Sequence, residues 1–198
     1  QEFSVTCCSS VMKMITIKRP LRSSDIKSEM RYILWVVKLL ETCDILASCS
    51  YDDTIKLYKE DNDDWSCFDT LEGHESTVWA ISFDKTGDRM GVPTHGSDPR
   101  WKTVCVLSGY HDRTVYDVHW SFVTDAIATS SGDDCIRIFQ QDPSVGDKNQ
   151  PTFHQVAVQR KAHSQDVNGV KWHPKESGLL ASCSDDGTIN MWRFIPQD

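Results

Sequence analysis

The chain has 198 residues, enough for one ordinary domain or part of a larger one, and 39% hydrophobic residues with seven tryptophans place it among folded globular chains rather than disordered ones. A formal charge of -8 disfavours a nucleic-acid backbone or an anionic lipid surface as partner, so no nucleic acid and no membrane is expected. The balance is uneven, at +2 over residues 1–44 and -10 over the remainder, which marks a compositional break near Asp44.

Residues 1–44 fit no repeat cleanly and read as an irregular leader. The chain opens on Gln1 without an initiator Met or a signal pattern, so the natural start is expected upstream. Cys7 and Cys8 read as a loop pair, and the Ser-rich, basic stretch Cys7 to Lys27 reads either as disordered or as foreign to the repeats that follow. The most apolar run, Tyr32 to Leu40, is interrupted by Lys38 and too short to cross a bilayer. It reads either as a strand preceding Ile45 or as a short amphipathic helix over residues 32–40, with context favouring the strand.

From Ile45 the chain repeats itself. Ile45 to Tyr58, Ala126 to Phe139 and Leu179 to Trp192 each read as a short apolar strand, an Asp/Gly turn and an alternating strand ending on an aromatic. A second unit precedes the later turns: His74 to Phe83, His111 to Trp120 and His163 to Trp172 each place a Val four residues after the His and an aromatic five residues after that Val. A further strand stands before each His unit, as in Trp65 to Leu71 and Trp101 to Leu107. The spacings, 37 residues from His74 to His111 and 52 from His111 to His163, predict four-stranded units of about 40 to 45 residues with one insertion, placed at residues 140–161. The second unit breaks down over residues 84–99: after Phe83 the turn runs into Gly91-Val-Pro-Thr-His-Gly-Ser-Asp-Pro99, and two strands are missing. Such a gap predicts open strand edges on both sides.

Leu71-Glu-Gly-His74 and Met191-Trp192-Arg193, standing with the threefold strand-turn-strand pattern, resemble the WD-repeat family, although the Trp-Asp dipeptide is replaced at Tyr58-Lys59, Phe139-Gln140 and Trp192-Arg193. The resemblance covers Ile45 to Phe194 and implies an all-β fold of propeller blades. Too few blades are visible to close the family's seven-bladed ring.

Recurrence also decides how the polar residues read. A hydrolase needs one catalytic triad, whereas His163, Ser182, Asp186 and Trp192 return as His111, Thr129, Asp133 and Phe139, and in part as Ser48, Asp52 and Tyr58; His74 heads the interrupted unit. In the family such tetrads are structural, with Asp accepting from His, His contacting Ser or Thr, and the hydroxyl reaching Trp. No catalytic residues and no small-molecule substrate are therefore expected. A metal-dependent hydrolase would require an unrepeated cluster that the sequence does not offer. Cys49 and Cys183 share one strand slot and read as core residues; with no C-x-x-C pair and no histidine ligand spacing, neither a metal nor a cofactor is expected. Eight cysteines without a disulfide pattern suit a reducing compartment.

The family resemblance further implies a docking face on the side of the Asp turns. Carried onto this sequence, its positions are Thr77 and Trp79, Thr114 and Tyr116, Asp166 and Asn168, with Tyr51, Gly132 and Asp185. Trp79 and Tyr116 either anchor a partner or pack between neighbouring blades. Leu71 to Trp79, Gly96 to Lys102, the insertion from Gln140 to Phe153, and Ala162 to Asn168 are similar to WD-repeat subunits of the cytosolic iron-sulfur protein assembly machinery. This likeness implies a cytoplasmic, non-enzymatic adaptor that works with a HEAT-repeat adaptor and a small companion subunit to deliver clusters to apo-proteins. A substrate receptor of a ubiquitin ligase or a chromatin-complex subunit is the alternative scaffold reading.

Overall fold

A computed structural model describes residues 3–8, 34–40, 45–61, 64–86, 89–92, 101–144 and 150–195, and among these there is no helix. The described residues form fifteen strands in four antiparallel sheets. The first sheet in chain position comprises β2 (Leu34–Leu40), β3 (Ile45–Ser50), β4 (Ile55–Asp61) and β5 (Asp64–Leu71), each paired with the next. Another runs through β9 (Val115–Trp120), β10 (Ile127–Ser131), β11 (Ile136–Gln141) and β12 (Phe153–Gln159). A three-stranded sheet contains β13 (Val167–Trp172), β14 (Leu179–Ser184) and β15 (Ile189–Arg193).

The remaining sheet is ordered differently. It contains β6 (Ser82–Phe83) and β7 (Arg89–Val92), then β1 (Phe3–Cys8), then β8 (Trp101–Leu107). The interrupted unit is thus four-stranded, because the chain's first described segment lies between β7 and β8 and pairs antiparallel with both. This corrects three expectations, the first being that two strands are missing: β7 lies inside the 84–99 stretch and is one of them. Cys7 and Cys8 lie in a strand rather than a loop, and the gap over residues 84–99 does not leave β7 and β8 as open edges. Over 34–40 the chain is strand β2, paired with β3, which is the reading that context favoured over a helix. The 140–161 segment is likewise not all loop, since β11 runs to Gln141 and β12 occupies Phe153–Gln159. The rest of the stretch Cys7 to Lys27 lies outside the described residues.

The turn between the second and third strands of a unit has a local cause. Asp53, Asp134 and Gly187 occupy the same slot and all take left-handed backbone angles (φ 63, 62 and 78°), a conformation that Asp tolerates and Gly adopts freely. Around them one hydrogen-bond set recurs. Asp52, Asp133 and Asp186 each accept from the backbone N–H two residues on, at 3.1, 3.1 and 2.9 Å. Their own N–H groups donate to the hydroxyls of Ser50, Ser131 and Ser184 at 3.2, 3.2 and 3.1 Å. Each turn is therefore closed by hydrogen bonds among its own residues, independently of any tertiary contact.

Three apolar clusters join the four sheets in a row. Ala47, Ile55 and Leu57 pack with Val78, Ile81, Phe83 and Met90. Ala80 and Leu107 pack with Val118, Trp120, Ile127 and Phe139. Ala128, Ile136 and Ile138 pack with Val167, Val170, Trp172 and Leu180. Each cluster takes residues from two successive sheets, so burial that no single sheet achieves is shared between neighbours. Polar links reinforce this stacking. Trp120 N donates to Ser82 Oγ at 2.9 Å and Trp172 N to His119 Nδ1 at 2.9 Å, while the Trp172 indole donates to His119 O at 3.1 Å. Asp117 accepts from Val170 N at 2.9 Å and from Lys171 Nζ. The architecture is all-β and consists of propeller blades, incomplete relative to a closed ring. None of the described residues forms a helix long and apolar enough to cross a membrane.

Candidate functional site: the Asp-turn face

Each tetrad gathers a His from the segment before a blade's first strand, a hydroxyl from its second strand, an Asp from the turn that follows and an aromatic from its third strand. In the last blade His163 Nδ1 lies 3.1 Å from Asp186 Oδ2 and its Nε2 lies 2.7 Å from Ser182 Oγ; the Trp192 indole donates to that same hydroxyl at 2.9 Å. The directions are mutually consistent when Nδ1 carries the proton: the indole N–H donates to Ser182, the Ser182 hydroxyl donates to Nε2, and Nδ1–H donates to Asp186. Hydrogen bonds from the Thr188 hydroxyl, and then from the backbone N–H of Ser164, hold the Asp186 carboxyl well below the usual carboxylate range.

The middle blade carries a variant. His111 Nε2 lies 2.8 Å from Thr129 Oγ1, and Asp133 Oδ2 lies 3.0 Å from His111 Nδ1. Arg137 Nη1 reaches both Asp133 Oδ2, at 2.8 Å, and His111 Nδ1, at 2.7 Å. Nδ1 cannot donate to Asp133 while accepting from Arg137, so the guanidinium and the histidine compete for one carboxylate. Burial pushes His111 down to about 4 against the pull of Asp133, and Arg137 adds to the depression, so the ring is neutral near pH 7. Burial raises the Asp133 carboxyl, but His111 and then Arg137 outweigh it and hold it below its ordinary value. Phe139 fills the fourth slot without an N–H; it packs edge-on against Tyr110, with centroids 4.9 Å apart.

Elsewhere the sets are partial. Ser48 is buried in β3, and Asp52 lies on the following turn with its carboxylate bonded to the Thr54 hydroxyl at 2.7 Å. Burial raises Asp52, but the Thr54 bonds outweigh it, so its carboxyl sits below the ordinary value. His74 is buried at the head of the blade completed by β1.

The docking candidates form a connected row across all four sheets. Tyr51, 52% exposed, stands edge-on to Trp79 at 5.9 Å, and Trp79 stands edge-on to Tyr116 at 5.5 Å. The Tyr116 hydroxyl donates to Asp166 Oδ2 at 3.0 Å, and Arg113 donates to both Asp166 oxygens at 2.8 and 3.4 Å. Burial, and then the bond to Asp166, raises the Tyr116 hydroxyl. Asn168 donates to Asp185, and both are exposed. Thr77 and Thr114 are half-buried beside the row, and the Thr114 carbonyl accepts from Gly132 N at 2.9 Å. Trp79 and Tyr116 therefore do pack across neighbouring blades, and each keeps a half-exposed surface.

Sequence reasoning missed several residues. Arg113 ties Gly132 O to Asp166, and Arg137 enters the middle tetrad. Arg89 bonds Asp84 at 3.0 Å and Gln141 at 2.8 Å while lying 5.2 Å from the Trp120 ring centroid, bridging two blades. Ser82 and His119 each stand eight residues after a unit's His, a repeated acceptor slot that the sequence does display. Away from this face, a groove of about 460 Å³ between β11–β12 and β14–β15 is lined by His154 and largely apolar residues, with no carboxylate or hydroxyl side chain. Among the described residues, no group of three or more His, Cys, Asp or Glu is placed to hold a metal ion.

Comparison with known proteins supplies the family. The chain is 61% identical over 167 residues to the probable cytosolic iron-sulfur protein assembly protein CIAO1 homolog of Nematostella vectensis, covering 74% of this chain and 51% of that protein. It is 46% identical over 168 residues to the probable cytosolic iron-sulfur protein assembly protein Ciao1 of Aedes aegypti, covering 73% and 49%. Against the probable cytosolic iron-sulfur protein assembly protein CIAO1 of Homo sapiens it is 56% identical over 108 residues, covering 54% and 32%. The chain spans about half the length, or less, of these curated relatives. The family model described as WD domain, G-beta repeat matches residues 65–98, 101–140 and 154–193, together more than half of the chain. With the blade sheets and Asp turns described above, this match places the chain in the WD-repeat family.

Proposed function

We propose that this chain is a non-catalytic, cytoplasmic scaffold of iron-sulfur protein assembly that captures protein partners on its Asp-turn face. The observation that carries the reading is the unbroken row Tyr51–Trp79–Tyr116–Asp166, which draws one side chain from each of four successive blades. Aromatic side chains that are half-exposed and already held by neighbours lose little freedom on binding, which suits them as interface anchors. Thr77, Thr114, Asn168 and Asp185 would form the polar rim. The names of the relatives compared above, each an iron-sulfur protein assembly protein, support this choice of pathway. In this reading the cluster is cargo rather than a resident group, and the partners are a HEAT-repeat adaptor and a small companion subunit of a targeting complex. The tetrads of His163 and His111, with Ser48, Asp52 and His74 as partial sets, serve stability and not chemistry.

Affinity purification of the tagged chain from cells, read by mass spectrometry, tests this. Recovery of the HEAT-repeat adaptor with iron-sulfur targeting subunits is expected, and recovery of cullin-type subunits instead would favour a ubiquitin-ligase receptor. Tyr51→Ala, at an exposed position, should lower capture at least tenfold with an unchanged melting temperature. Combining it with Trp79→Ser and Tyr116→Ser should abolish capture in protein whose circular dichroism verifies the fold. Unchanged capture by the triple variant refutes the docking face.

A further inference from the structure

The sheet β6-β7-β1-β8 is assembled unlike its neighbours. The other three sheets take their strands consecutively from the chain, whereas this one places a segment from residues 3–8 between two strands that begin at residues 89 and 101. Because β1 is antiparallel to both β7 and β8, those two run parallel to each other, with Val5 level with Gly91 on one side and Cys105 on the other. Only eight residues, 93–100, join β7 to β8. Direct parallel pairing of two strands needs a crossover of roughly a dozen residues or more. With β1 removed, β7 and β8 could not close on one another, and a gap one strand wide would expose two rows of unpaired backbone groups.

We propose that the gap between β7 and β8 is a strand-acceptor site for an extended segment of about six residues, and that Phe3–Cys8 is the donor strand that fills it in cis. The backbone supplies the recognition. Along β1, four residues pair with β7 and six pair with β8, with one register shift between Val5 and Thr6, so the ladder fixes direction and register without requiring particular side chains. The donor sequence Phe3-Ser-Val-Thr-Cys-Cys8 is rich in β-forming residues and has no Pro or Gly to interrupt the ladder. It occupies the third position of the sheet, which β4 and β11 hold in their own sheets, and thereby supplies the strand that this unit's own sequence lacks. The leader is thus a structural member of the blade that carries His74 and Trp79.

Register makes the proposal testable in the full chain. Cα atoms of directly opposed residues lie about 4.5 to 5.5 Å apart, within the span a disulfide bridges. Val5→Cys, made in the full chain together with Cys7→Ser and Cys8→Ser, should form an intrachain disulfide with Cys105 under mild oxidation. Peptide mapping should find it at least tenfold more abundant than linkage to Cys105 from Ser4→Cys or Thr6→Cys in the same background. Absence of that preference, or a bond formed only between two copies, overturns donation in cis. Hydrogen exchange on the unaltered chain is an independent check. The Ser4–Cys7 amides should exchange at least a hundredfold more slowly than in the denatured chain, and exchange at the denatured rate overturns the proposal.

Discussion

Replacing Ser182 with Ala isolates the polar chain of the last blade. The Ser182 side chain is buried, and its hydroxyl is the meeting point of the His163 ring at 2.7 Å and the Trp192 indole at 2.9 Å. Ser182→Ala removes one oxygen and leaves two nitrogens without their partner. An unsatisfied buried polar group costs about 1 to 3 kcal/mol. The His163 side chain is fully buried and bears the larger share, whereas half-buried Trp192 recovers part of its bond from water. The sum is about 2 to 4 kcal/mol, a fall in Tm of roughly 4 to 16 °C for a chain of this size. Thermal unfolding followed by circular dichroism at pH 7 measures it. Ser182→Thr retains the hydroxyl, as Thr129 does in the equivalent slot of the middle blade, and should recover most of the loss. A change below about 0.5 kcal/mol for Ser182→Ala would mean that the hydroxyl is satisfied elsewhere or that the tetrad contributes nothing, and the reasoning fails.

Acid should weaken the protein through His111. Its folded pKa of about 4 lies below the unfolded value of 6.5, so the unfolded chain binds the proton first as pH falls. The stability contribution is full above about pH 6.5 and is lost on approach to pH 4, about 2 to 3 kcal/mol in all. Urea midpoints at pH 7, 5.5 and 4.5 should fall accordingly, and His111→Gln should remove that part of the slope; identical slopes in variant and parent would refute it. Two glycines in left-handed turns should separate strain from collision. Gly187→Ala, with φ at 78° and open space around an added Cβ, should cost about 1 kcal/mol by thermal unfolding. Gly178→Ala, with φ at 70° and its Cβ placed 2.1 Å from the Phe194 carbonyl oxygen, should cost more than about 2 kcal/mol, and equal losses for the two would contradict the geometry.

The parts of this protein that the sequence by itself determined are those built from neighbours along the chain. Period-2 strands, the Asp turns with their left-handed Asp53, Asp134 and Gly187, and the spacing of His163 from Ser182 and Asp186 depend on residues within about 25 positions of one another, and they repeat, so the pattern exposes them. Tyr51, Trp79, Tyr116 and Asp166, the residues of the proposed docking row, were also singled out one by one, although only the fold turned them into contacts across four blades. Arg113, Arg137 and Arg89 could not be read in advance, because each acts at a single blade or junction and leaves no repeated trace. Tertiary structure alone decided the fate of Phe3–Cys8. A short strand carries no record of its partners, since a backbone ladder accepts many side chains. Only the gap between β7 and β8, made by strands about 80 to 100 residues further along the chain, gives that segment its place.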